Sequence, residues 1–107
     1  MTEQDMELTK LAAKAAGIEG VNFDRARRDW SWNPLDDDGD ALRLAVKLHM
    51  NFYGSCKYST TAEIISDSDE PSITKKEYCD EKTKNAATRR AIVRAAAEIG
   101  KQMELNT

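Results

Sequence analysis

The sequence predicts an α+β domain: two helices, a β-hairpin of two to three antiparallel strands, and a long C-terminal helix. The layers form an α/β/α sandwich that dimerisation can complete. Three observations predict it. Apolar residues recur at helical spacing near both ends of the chain and again over 41–48. Between residues 51 and 79 the pattern changes to alternation. A small sheet with apolar atoms on both faces, set among amphipathic helices, buries both faces only in a helix–sheet–helix arrangement.

The first helix is expected over about 3–16. Leu8, Leu11, Ala15 and Ile18 make its stripe, Thr2 its N-cap, and Glu3 and Asp5 complement the positive end of its dipole. Gly17 suits the residue after the last turn, with Ile18 as the hydrophobic residue that follows it. Residues 19–35 read as irregular, with room for a helical turn over 22–29, and Pro34 pushes Asn33 toward extended backbone. The second helix starts within Asp36–Asp40 and runs to about Met50. Ala41, Leu44, Ala45 and Leu48 form its stripe, and Leu42, Val46 and His49 widen it, which makes this the most buried of the three helices. Phe52 and Tyr53 begin a strand that Gly54 bends. Alternation over 58–65, a turn at 67–71 and a return strand from Ile73 to Tyr78 complete the β unit. The last helix covers about 83–105 on the stripe Ile92, Ala96, Ile99 and Met103. Its Gly100 is suited to the close approach of another backbone.

At 107 residues the chain is one domain, 1–107. Its 16 basic and 19 acidic residues leave a net charge of -3, which argues against a nucleic-acid coater. No apolar run reaches the roughly 18–20 residues of a membrane span. The start of the chain has no secretory hydrophobic region, so the expected location is the cytoplasm, with Cys56 and Cys79 reduced.

Several groups carry candidate chemistry. Asp36, Asp38 and Asp40 have the spacing of a calcium loop, but position 6 is Ala41 and position 12 is Lys47 where that loop wants Gly and Glu. Helix capping explains most of the acidic cluster without requiring four acids, which leaves Asp36, Asp37, Asp38 and Asp40 with a recognition role to weigh. Trp30 and Trp32, two apart in an extended segment beside Asn33, either anchor a loop or form a stacking platform. Arg89, Arg90 and Arg94 lie in a helix with a local charge of +3. They either bind anions or pair with the aspartates of the second helix. His49 is the one histidine and reads as a packed or C-terminal capping residue. Cys56 and Cys79 sit on opposite β segments as potential cross-strand neighbours, without metal-ligand spacing. No phosphate loop or nucleophile motif is present, and the chain reads as no enzyme, with no cofactor and no metal.

Two segments carry a more specific signal. The run from Trp32 through Asn33, Pro34, Leu35 and the aspartates to Val46, and the run Ala87-Thr88-Arg89-Arg90 to Gly100, together resemble the small phage and prophage proteins of the phage ABA sandwich domain family. The resemblance covers about 29 of the 107 residues and does not extend to the polar middle. It implies β structure layered between helices and a virus-encoded accessory protein in a bacterial host. It supplies no catalytic residues.

The expectation that follows is a non-enzymatic accessory protein, present as a homodimer, that binds a host component, with counter-defence as the natural role. One alternative is a nucleotide-type ligand held by the tryptophans and arginines, and another is a phage structural or assembly component.

Overall fold

The computed structural model describes residues 2–18, 23–24, 29–30, 32–56, 58–65 and 72–105. Helix α1 is Glu3–Ala16, as the capping signals predict. The Thr2 hydroxyl accepts from the Asp5 amide at 3.1 Å. Gly17 takes the left-handed conformation, with φ 70°. The Gly17 amide then donates to the Lys14 carbonyl, and the Ile18 amide to that of Ala13. The buried face of α1 differs from the expected one: it is Thr9, Ala12, Ala13 and Ala16, while Leu8, Leu11 and Ala15 are half-buried flanks.

 

Small side chains, not the leucines, therefore make the inner surface of this helix. The reason is what it packs on. Asp5 bonds Arg90, Leu11 touches Gly100 and Lys14 pairs with Glu104, so α1 runs parallel to the last helix, α3 (Lys84–Leu105). A Cβ at Gly100 would stand 2.0 Å from the Leu11 carbonyl oxygen, so the glycine admits the α1 backbone directly.

Short strands β1 (Phe23–Asp24) and β2 (Asp29–Trp30) pair antiparallel within the stretch expected to be irregular. The helical turn expected over 22–29 falls largely outside the described residues. Helix α2 is Asp38–Lys47, capped by Asp37, whose carboxylate accepts from the Asp40 amide at 2.8 Å. It stops short of Met50 because His49 turns left-handed, with φ 53°. The expectation that α2 is the most buried helix is corrected. Its buried residues are Ala41, Leu44 and Ala45, whereas Leu42 and Val46 are exposed. Seven residues of α3 are buried, from Ala91 to Gly100, and α3 is the centre of the molecule.

The main sheet runs β3 (Asn51–Cys56), β4 (Ser59–Ile64), β5 (Ile73–Tyr78), all antiparallel. The β3–β4 register shifts between Tyr53 and Cys56, around Gly54, as the bend there predicts. Cys56 pairs with Ser59 and Ser59 with Tyr78, so β4 lies between the two cysteine segments and they are not cross-strand neighbours. Thr60, Ala62 and Ile64, with their β5 partners Glu77, Lys75 and Ile73, face α3. The Thr88 hydroxyl donates to the Lys84 carbonyl at 2.8 Å and lies within hydrogen-bond distance, 2.9 Å, of the Thr60 hydroxyl. The chain is thus the expected helix-rich α+β fold with a long C-terminal helix on its sheet. Within one chain the layers run sheet, α3, α1, with α2 also packed on α3. No described helix lies on the sheet face that carries Tyr53, Lys76 and Tyr78.

Candidate functional site

The segment from Trp32 to Val46 and the segment from Ala87 to Gly100 meet in space. Arg89 donates through Nε to the Leu35 carbonyl at 2.8 Å and through Nη1 to Asp38 at 2.6 Å. One guanidinium thereby fastens the loop before α2 and the first residue of α2 to the second turn of α3, and its planar fork suits two acceptors at once. The loop is tied within itself as well. The Asn33 amide donates to Asp40 at 2.9 Å, and the Asn33 side chain to Asp36 at 3.0 Å. Asp40 also takes Arg43 at 2.8 Å.

Each predicted site residue can now be placed. Asp37 is the N-cap, Asp36 and Asp40 hold Asn33, and Asp38 holds Arg89. Much of the acidic cluster is therefore capping and pairing. The Asp37 and Asp38 side chains nevertheless remain open to solvent. Trp32 is half-buried and packs on the core, as the anchoring reading expects. The Trp30 backbone lies in β2 opposite Phe23, and its side chain falls outside the described residues. The arginines also have partners: Arg90 bonds Asp5 at 2.9 Å, and Arg94 bonds Glu77 at 2.5 Å. A phosphate arriving at any of the three would have to compete with a carboxylate already in place.

Two clefts flank Arg89. One, of about 330 Å³, lies between α1, the Leu35–Asp36 loop and α3, and it is lined by Asp5, Asp36, Arg89 and Arg90. The other, of about 250 Å³, lies between α2, α3 and β3. Its apolar walls are Leu42 and Phe52, and Ala41 and Ile92 lie buried beneath them. Sequence reasoning missed this second site. Its signal was present as an apolar pair, Leu42 and Val46, beside a second apolar row that was sufficient for the core.

Among the described residues no group of three or more His, Cys, Asp or Glu is placed to hold a metal ion, and no helix is long and apolar enough to cross a membrane. No family model, curated protein or solved structure matches the chain.

Proposed function

We propose that the chain is a phage- or prophage-encoded accessory protein that acts without catalysis, by occupying a host protein. The observation that carries this reading is the set of large apolar side chains left standing on one surface: Leu42 at 51%, Val46 at 66% and Phe52 at 41% exposure. A contiguous exposed apolar patch with a polar rim marks an interaction surface more often than it marks idle surface. The phage origin rests on the two resembling segments, which Arg89 joins into one unit. A nucleotide-type ligand is the weaker reading. In the cleft beside Arg89 and Arg90, the carboxylates of Asp5 and Asp36 oppose a phosphate.

The test is site-specific photo-cross-linking in a bacterial host. The photoreactive residue is placed in turn at Val46, at Tyr78 on the open sheet face, and at Lys10 on the exposed side of α1. The expected result is one discrete host adduct from an exposed apolar position and none from Lys10, with the adduct re-formed from the two purified proteins. Failure to obtain such an adduct at any position overturns the reading.

A further inference from the structure

Helix α2 carries more apolar surface than the core uses. Leu42 and Val46 stand one turn apart on the same side of the helix and are exposed. Across a cleft of about 250 Å³, Phe52 extends the patch from β3. That volume falls below the roughly 300–1,000 Å³ of pockets that enclose a small molecule, so the patch suits a protein surface. Among the described residues nothing pairs with the outer edge of β3. Asn51, Phe52, Tyr53 and Gly54 are all exposed there, and none carries a charge. The centre of this surface is therefore apolar and uncharged, as the centres of protein interfaces are.

Charge lies at the two ends of α2, with opposite sign. Asp37 and Asp38 hold the N-terminal end, and their side chains stay open to solvent. Lys47 lies exposed in the last turn. A two-fold axis through the patch runs a second α2 antiparallel to the first. It sets Leu42 against the partner's Val46, and the acidic end of each helix beside the partner's Lys47. The two helix dipoles oppose each other in the same arrangement. A purely acidic or purely basic foreign segment satisfies one end of α2 and is repelled at the other. The same residues in reversed order satisfy both ends and the apolar centre together, and a second copy of the chain supplies that order. The β5 edge offers no equivalent, because a two-fold axis there brings Lys75 and Lys76 against their own counterparts.

We infer that two copies of the chain associate about a two-fold axis through the α2–β3 surface, with Leu42, Val46 and Phe52 at its centre and Asp37 and Asp38 of each copy beside the partner's Lys47. The inference goes beyond the host-protein reading above. It concerns the chain without its host protein, whose binding at this surface requires the two copies to separate.

The test is sedimentation equilibrium of the purified chain at tens of micromolar, where twice the chain mass is expected. Val46→Asp puts a carboxylate at the apolar centre and is expected to weaken the dimer by about tenfold or more. Lys47→Glu sets an acid beside the partner's aspartates. It is expected to weaken the dimer several-fold at low ionic strength and less in high salt. Tyr78→Asp, on the open sheet face, is expected to change nothing. A monomer overturns the inference. So does a dimer that resists Val46→Asp, or one that resists Lys47→Glu at low salt, because such a dimer uses another surface or another direction of pairing. A photoreactive residue at Val46 of the purified chain keeps the arrangement testable if a variant loses its fold. The expected adduct joins it to the partner's Leu42, and an adduct to the sheet or to α1 overturns the inference. A monomer leaves the host-protein reading to the cross-linking in cells. A dimer of the stated kind with no host adduct at any position overturns that reading alone.

Discussion

His49 ends α2 in a conformation that L-residues adopt at a cost. Its φ is 53°, its amide donates to the Val46 carbonyl, and the next amide, Met50, donates to that of Ala45. This is the same helix-ending hydrogen-bond pair that Gly17 makes after α1, built here on a residue with a Cβ. The left-handed strain is roughly 1–2 kcal/mol, and glycine returns part of that as unfolded-chain entropy. His49→Gly is therefore expected to stabilise the fold by about 0.5–1 kcal/mol, read as a higher urea midpoint with an unchanged slope. At Gly100 the sign reverses. A methyl group there meets the Leu11 carbonyl, which belongs to a helix backbone and has nowhere to move. Gly100→Ala is expected to cost about 1–3 kcal/mol or more, and thermal unfolding measures it directly.

At the scale of elements, Arg89 joins the α2 loop to α3. It is only 19% exposed and makes one bond to a buried carbonyl and one to a carboxylate. Arg89→Ala is expected to lower stability by about 1.5–3 kcal/mol. Arg89→Lys is expected to restore little of it, because an ammonium cannot reproduce the two-directional fork. Chemical denaturation of the three proteins side by side is the check. The start of α3 is expected to respond to pH. Asp80 accepts from the Thr83 amide at 2.9 Å and from the Thr83 hydroxyl at 3.0 Å, and these bonds hold its pKa below the ordinary 3.8. A lowered folded pKa means that the stabilisation is complete above the unfolded value and is lost as pH falls through the folded one. Acidification below about 3.8 is therefore expected to fray the first turn of α3. Amide exchange at Thr83 should accelerate in that range, and Asp80→Ala should remove the dependence.

The elements were legible where their signals are local. Thr2 and Gly17 bound α1, and alternation bounds β5, because caps and pleats are set by neighbours along the chain. The face that α2 buries was not legible. Both of its apolar rows satisfy helical periodicity, and α3 chooses between them. For the same reason Leu8 and Leu11 gave way to Thr9 and Ala12 on α1: close contact with an alanine- and glycine-rich helix selects small side chains. The acidic and basic residues of the candidate site were visible as composition, but the bonds of Arg89 and Arg90 to partners 51 and 85 positions away were not.

At the scale of the whole molecule, one helix organises everything else. The sheet, α1 and α2 all pack on α3. Among the described residues most of the buried hydrophobic ones are alanine, so this core is made by bringing backbones close together instead of by filling space with large side chains. The β5 edge of the sheet is protected from simple extension. β5 carries Lys75 and Lys76 at its centre, and antiparallel pairing of two such edges in register would bring like charges together.

The parallel seating of α1 on α3 also has a consequence for synthesis. Asp5 finds Arg90, Leu11 finds Gly100 and Lys14 finds Glu104, so α1 has no seat until α3 has been translated. On the ribosome, α1 must wait with its alanine face bare while some ninety further residues emerge, and the core closes in one late step.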